Sequence, residues 1–157
     1  MARSRNTADS QTRSVGASRL PAGLNPEDLL EMYSTMVLVR TLDERIWLMN
    51  RQGKAAIVAS SQGHEAAQLG AVWAMRTAPG AAYFPYYRDL GMMIALGVSP
   101  LETMLGFMAK KGETFSGARQ FPLHGARPDL KLFNLSNVVS TQIPHAVGYA
   151  LGCKMSG

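Results

Sequence analysis

Residues 84–89 read Phe84-Pro85-Tyr86-Tyr87-Arg88-Asp89, placing two phenols, a guanidinium and a carboxylate directly after a proline. Proline fixes its own φ and pushes the preceding residue toward extended backbone, so helix stops here and a new one begins at about Asp89. Polar side chains emerging from such a turn can point at a ligand. Arg88 offers a planar, permanently charged fork that suits phosphate or carboxylate, and each tyrosine adds a hydroxyl to an apolar ring. The same residues also read as a packed aromatic corner with an Arg-Asp pair, because both types pack at domain edges without touching a ligand.

Working outward toward the amino terminus, Asn25-Pro26-Glu27-Asp28 combines a capping side chain, a proline at the first helical position and two acids in the first turn. A long helix is expected over 26–51, with Leu29, Tyr33, Met36, Val37, Arg40, Ile46 and Trp47 near a 3.6 period and Gly53 ending it. A second fits 62–77, capped by Ser60 or Ser61 and stopped by Pro79-Gly80. Beyond the corner, a short third helix runs to about Leu96. Ser99-Pro100-Leu101-Glu102 is a capping box that opens a fourth, expected from Pro100 to about Lys111. The stretch 112–129 has no period and holds Gly112, Gly117, Gly125, Arg119, His124 and Arg127, where a functional loop would sit. Leu130 to Leu135 alternates as a strand, and Thr141 to Met155 reads as a last helix opened by Pro144 and rich in small residues.

The 157 residues, 46% hydrophobic and 17% charged, have the length and composition of one globular domain. The net charge of +5 divides unevenly: Arg3, Arg5, Arg13 and Arg19 against Asp9 place +3 within residues 1–20. The remainder is close to balanced and carries no electrostatic footprint for DNA or RNA. Residues 1–22 read as a disordered basic arm; their Arg- and Ser-rich, acid-poor composition also resembles a transit peptide, although no amphipathic face forms. Cys153 is the single cysteine, which excludes an intrachain disulfide and paired-cysteine metal sites and fits a reducing compartment. Arg40, Arg45 and Arg88 interrupt the apolar runs, so a membrane span is not expected. No serine stands in a nucleophile elbow, and no His-Cys-Asp cluster has metal-ligand spacing. His64 and His145 read as local hydrogen-bonding residues.

Five segments in order carry a family resemblance: Arg40-Thr41-Leu42-Asp43-Glu44-Arg45, Gly63-His64-Glu65-Ala66-Ala67, Phe84 to Asp89, Gly117 to His124, and Thr141-Gln142-Ile143-Pro144. Residues 26–157 resemble the alpha subunit of thiamin-diphosphate-dependent 2-oxo acid dehydrogenases. The Arg119-Gln120-Phe121-Pro122-Leu123-His124 stretch is similar to the branched-chain (2-oxoisovalerate) type. The resemblance implies an α/β fold, the thiamin-diphosphate-binding fold, with a parallel sheet covered by helices and a long amino-terminal helix in front. It implies oxidative decarboxylation of a branched-chain 2-oxo acid, with the acyl group passed to a lipoyl carrier. Pyruvate or acetoin stands as the alternative substrate, and a catalytically inactive helical interaction module as the alternative function.

On this resemblance Tyr86, Tyr87 and Arg88 lie at the diphosphate of the cofactor, and Asn137, Val138 and Val139 fall where a strand end contacts its aminopyrimidine. Phe121, Pro122, Leu123 and His124 border the substrate, together with Ile57, Tyr87 and Asn137. Family members usually have Ser-Pro-Leu or Ser-Pro-Ile at 137–139, and Asn137-Val138-Val139 departs from that. Ser136, Thr141 and Gln142 match a potassium site of some relatives, although Thr and Gln are also ordinary helix-entry residues. The magnesium motif, Gly-Asp-Gly with a later asparagine, does not occur in 1–157, nor do the family's later histidine and the glutamate of its beta chain. Residues 23–157 are therefore expected to be the amino-terminal part of the cofactor-binding domain, inactive alone. The implied partners are a beta subunit in an alpha-two beta-two tetramer and a lipoyl acyltransferase. The implied location is the cytoplasm, or the mitochondrial matrix if residues 1–20 are a transit peptide.

Overall fold

The computed structural model describes residue 20 and residues 23–117 and 119–157. The basic arm and any transit peptide lie outside the described residues, apart from Leu20. Among the described residues five α-helices follow one another: α1 Pro26–Arg51, α2 Glu65–Met75, α3 Leu90–Ala95, α4 Pro100–Phe107 and α5 Gln142–Ser156. A single 3-10 turn, Pro128–Leu130, interrupts the connection between α4 and α5.

Two of the three expected caps form. The Asn25 side chain accepts from the Asp28 amide at 2.8 Å while Asp28 accepts from the Asn25 amide at 3.0 Å. Ser99 and Glu102 reciprocate at the start of α4 at 3.2 and 2.8 Å. Each such cap contributes about 1 kcal/mol, which fixes where a helix begins more than it holds the fold together.

The fold is held by burial on both sides of α1. Val39, Leu42 and Ile46 pack with Leu90, Met93, Ile94, Val98 and Phe107, joined by Phe115, Leu123, Leu132 and Leu135 from the connections. Leu69, Val72 and Trp73 of α2 form a second cluster with the half-buried Met32, Met36, Met92 and Leu96. Each fully buried aliphatic side chain stabilises by roughly 1.5–3 kcal/mol, so these clusters outweigh the caps severalfold. Of the face expected on α1, Ile46 is buried, whereas Leu29, Tyr33, Val37 and Trp47 are exposed. Apolar residues cover most of this helix's circumference, so periodicity alone does not choose the side that docks.

The parallel sheet is not formed among the described residues. The expected 130–135 strand is reduced to one parallel rung, Tyr83 with Leu132, and one antiparallel rung, Arg127 with Leu132. Tyr83 donates to Lys131 O at 2.9 Å and accepts from the Phe133 amide at 2.9 Å. Pro128 starts the 3-10 turn and Lys131 takes a left-handed φ of 52°, so the first two residues of the run are consumed by the turn. Leu132 and Leu135 are nonetheless buried, as an inward-facing strand would place them.

Two helix limits also shift. α4 stops at Phe107 and Ala109 adopts φ 48°, leaving Lys110 and Lys111 beyond the helix they were expected to close. α2 starts at Glu65, and neither Ser60 nor Ser61 caps it. α5 forms with no buried residue. Its contact with the rest is aromatic: Tyr149 lies 4.8 Å from the Phe133 ring and 5.5 Å from Phe84, and Phe84 stacks on Phe133 at 4.8 Å. Space around Gly148 and Gly152 is open, so the small residues of α5 make no close helix packing. Among the described residues, no helix is long and apolar enough to cross a membrane.

The aperiodic stretch after α4 is tied down. Arg127 binds Glu102 Oε1 at 2.5 Å and Asp129 at 2.9 and 2.7 Å, and Thr114 donates to the same Glu102 oxygen at 3.1 Å. Gly125 has φ 146°, and a Cβ there would overlap the Phe115 carbonyl oxygen. Backbone cannot yield as a flexible side chain can. Gly125→Ala is therefore expected to cost upwards of ~2 kcal/mol by combining a forbidden φ with overlap. Urea unfolding followed by circular dichroism measures this, with Gly117→Ala in the same connection, which meets only the Arg119 side chain, as the milder comparison.

Candidate functional site

The site is built on two carboxylates. Asp43, buried in the middle of α1, accepts from Ser60 Oγ at 2.7 Å, the Ser61 amide at 2.9 Å and Gln62 Nε2 at 2.9 Å. Glu65, at the start of α2, accepts from Arg40 Nε at 2.7 Å and the Gly63 amide at 2.8 Å. Arg40 and Asp43 are three residues apart and so share a face of α1. Burial alone would push the Glu65 carboxyl up, but the Arg40 bond and the backbone amides outweigh it and hold it below its ordinary value. The segment 60–65 is thereby fixed against α1.

That segment in turn holds the Phe84–Asp89 corner. Arg88 donates to Ser60 O at 2.9 Å and lies over the Tyr87 ring, 5.3 Å from its centre. Gln68, buried in α2, donates to Arg88 O and accepts from the Gly91 amide, both at 2.9 Å. Gly91 leaves the room for this: a Cβ there would meet Gln68 Oε1 at 2.5 Å. Asp89 turns back to accept the Tyr86 amide at 2.9 Å, and burial pushes its carboxyl above its ordinary value. The Arg-Asp pair expected of a purely packed corner is absent, and Arg88 has no carboxylate partner among the described residues. The Tyr86 hydroxyl is 3.3 Å from His64 Nδ1, and burial, with Asp89 nearby, raises the phenol above its ordinary value. The result is a guanidinium with an unpaired edge beside two phenols, a donor set that fits an anionic phosphate.

Tyr87 also borders a cavity of about 350 Å³, lined with it by Ile57, Ala59, Phe107, Phe121, Pro122, His124 and Asn137. Six of these were expected at a substrate. His124 is buried; its Nδ1 lies 2.9 Å from Pro122 O and its Nε2 2.6 Å from Asn137 Oδ1. Leu123 departs from the expectation. Its left-handed φ of 60° turns it into the core, where its Cδ2 packs beside Gly106. Val138 and Val139 are exposed and do not line the cavity. Ser136, Thr141 and Gln142 are half-buried around the entry to α5, with Ser136 Oγ accepting from the Val138 amide at 3.1 Å. Ala59 and Phe107 were not anticipated; Phe107 ends the apolar face of α4 and looks like any core residue, and Ala59 carries no signal. A larger groove of about 420 Å³, between Glu44, Trp47, Leu48, Arg51, Ser60 and Gln62, contains none of the expected residues. No three His, Cys, Asp or Glu residues gather to hold a metal among those described.

The profile of the family described as "Dehydrogenase E1 component" matches residues 33–157. The chain belongs to this family. It is 43% identical over 133 residues to the 2-oxoisovalerate dehydrogenase subunit alpha of Bacillus subtilis, covering 85% of this chain and 40% of that one. It is 32% identical over 130 residues to the 3-methyl-2-oxobutanoate dehydrogenase subunit alpha of Mycobacterium tuberculosis, covering 82% of this chain and 32% of that protein. The human mitochondrial 2-oxoisovalerate dehydrogenase subunit alpha is 27% identical over 146 residues, or 93% of this chain and 32% of its own length. The E1 chain thus spans 40% or less of the length of these relatives.

In this E1 chain the two carboxylates, with Arg40 and Gly63, fall in the first two matching segments, Ser60, Ser61 and Gln62 lie just before the second, and the corner is the third. Asp43→Ala leaves the Ser61 amide and the Ser60 and Gln62 side chains without their acceptor, at a cost of roughly 2–3 kcal/mol. Glu44→Ala, at the exposed neighbouring position, is expected within about 0.5 kcal/mol of the parent. Thermal unfolding of both variants checks the difference.

Proposed function

We propose that this E1 chain carries the substrate cavity and part of the cofactor site of a branched-chain 2-oxo acid dehydrogenase alpha subunit. The observation that carries the reading is the cavity lined by Tyr87, apolar along Ile57, Ala59, Phe107 and Phe121 and polar at His124 and Asn137. That distribution suits a small acid with a branched aliphatic tail, and the volume lies within the range of small-molecule sites. The names of the relatives point to the same substrate class.

Tyr86, Tyr87 and Arg88 are proposed to hold the diphosphate of thiamin diphosphate, with the unpaired guanidinium edge donating charge-assisted bonds. When bound, the cofactor supplies the nucleophilic carbon and electron sink for decarboxylation. Tyr87 lines the cavity and carries Arg88 over its ring, so one residue adjoins both the proposed anion site and the proposed acyl site. Asn137, Val138 and Val139 remain the proposed neighbours of the aminopyrimidine, through backbone groups. Magnesium is proposed to accompany the diphosphate, held by oxygen ligands outside the described residues, and potassium to bind at Ser136, Thr141 and Gln142. A beta subunit in an alpha-two beta-two assembly and a lipoyl acyltransferase complete the proposal.

The test is made on the assembled enzyme carrying this chain's residues. Arg88→Ala is expected to weaken thiamin diphosphate binding roughly tenfold to a hundredfold by calorimetry, from the loss of bonds to a charged group. Unchanged affinity would remove Arg88 from the cofactor site. Ala59→Leu fills the cavity and is expected to lower kcat/KM for 3-methyl-2-oxobutanoate more than for pyruvate. Equal loss for both acids sinks the branched-chain assignment, and no turnover of either by the assembled parent enzyme favours the interaction module.

A further inference from the structure

Phe121-Pro122-Leu123-His124 closes as a β-turn, with the His124 amide donating to Phe121 O at 2.9 Å. Its first central residue is proline and its second, Leu123, has φ 60°. This is the pattern of a type II turn, whose second central position ordinarily holds glycine or asparagine. A leucine there crowds its Cβ against backbone, which makes it a true outlier. Among the described residues, the other non-glycine positions with positive φ are Ala109, Lys131 and Ser140, and all three are exposed. Leu123 is 5% exposed and joins the core with Phe107 and Phe115. Its seat is Gly106 of α4: a Cβ on that glycine would stand 3.2 Å from Leu123 Cδ2 and 3.7 Å from its amide nitrogen.

The sign of φ at 123 decides which way the preceding peptide faces, since type I and type II turns differ by a half-turn of the central peptide. That peptide bears the Pro122 carbonyl, which lies 2.9 Å from His124 Nδ1. Facing the other way, the same oxygen leaves the ring without this contact. We propose that Leu123 is a positioning residue for His124: burial of its side chain against Gly106 holds its backbone left-handed, which turns the Pro122 carbonyl toward the imidazole and fixes the ring in the cavity.

The division of labour along the turn agrees with this. Phe121, Pro122 and His124 line the cavity, whereas Leu123 points into the core on the other side of the chain. His124 belongs to no helix or strand that would orient it, and the Phe121 ring meets it edge-on at 5.9 Å between centres. Apolar burial offsets the crowded backbone of Leu123, and an exposed leucine at the same φ would have no such compensation. The functional consequence is a histidine aimed at the bound 2-oxo acid, and that use rests on the reading of the cavity given above. The placement itself is tested on the full chain without any ligand, so the two fail separately.

The experiment combines nuclear Overhauser spectroscopy with thermal unfolding of the full chain. The parent is expected to show a strong contact between Pro122 Hα and the Leu123 amide, the mark of the type II peptide, and a contact between the His124 and Phe121 rings. Leu123→Ala removes the buried side chain and keeps the Cβ; it is expected to lose both contacts and to unfold upwards of ~8 °C lower. Leu123→Gly removes the same side chain but adopts positive φ freely, so it is expected to unfold earlier as well and yet keep both contacts. Leu123→Met is expected to restore the contacts and most of the stability. A residue that merely fills the core would lower stability in the alanine and glycine variants and leave the ring contact in place in both. Retention of both contacts in Leu123→Ala, their loss in Leu123→Gly, or absence of the Pro122–Leu123 contact in the parent, which needs no variant to fold, would each overturn the proposal.

Discussion

A carboxylate inside a protein is tolerated only where donors surround it, and Asp43 turns that requirement into architecture. The donors that satisfy it come from Ser60, Ser61 and Gln62, which have no regular structure of their own to hold them. The need of one buried charge thus sets the path of a loop, and Glu65 with Arg40 fixes its far end. Ser60 then presents a carbonyl to Arg88, so the guanidinium at the candidate cofactor site is placed by a chain of bonds that begins in the centre of α1. Without the first link the later ones have no fixed origin.

The other wall of the site depends on a different balance. The connection from α4 to the 3-10 turn contains His124, Phe121 and Pro122, and it contributes Phe115 and Leu123 to the core. Its ends are joined where Arg127 meets Glu102, whose carboxyl is held below its ordinary value first by the Ser99 amide and also by Arg127. Glu102 therefore caps a helix and anchors a loop with one side chain. The site is a loop placed by scaffold contacts, which permits burial of a histidine that belongs to no helix or strand.

What could be read from the chain follows the range of the interaction concerned. Asn25 and Ser99 were legible as caps because each bonds three residues away. The end of α4 was not, since Ala109 takes its left-handed conformation in the fold and nothing in Met108-Ala109-Lys110 calls for it. Asp43 could be matched to a family segment, but its partners lie 17 to 19 residues on, and no local pattern names them. The expected sheet came with the resemblance, and the described residues supply a lone parallel rung because Pro128 and Lys131 commit the preceding chain to a turn. Within the cavity, Ile57, Tyr87, Phe121, Pro122, His124 and Asn137 were reached through resemblance. Phe107 was invisible since a residue that is both core and cavity wall looks like core alone.

Gln68 has a consequence for how this protein tolerates change. One carboxamide spans the Arg88 carbonyl and the Gly91 amide, and it fits only because Gly91 has no side chain. A methyl group at 91 displaces that carboxamide and so disturbs the backbone at 88, three positions away and on the other side of a helix start. Substitutions at 68, 88 and 91 are consequently not independent events. Their effects will combine non-additively, and a sequence drifting at any one of the three constrains which replacements the other two can accept.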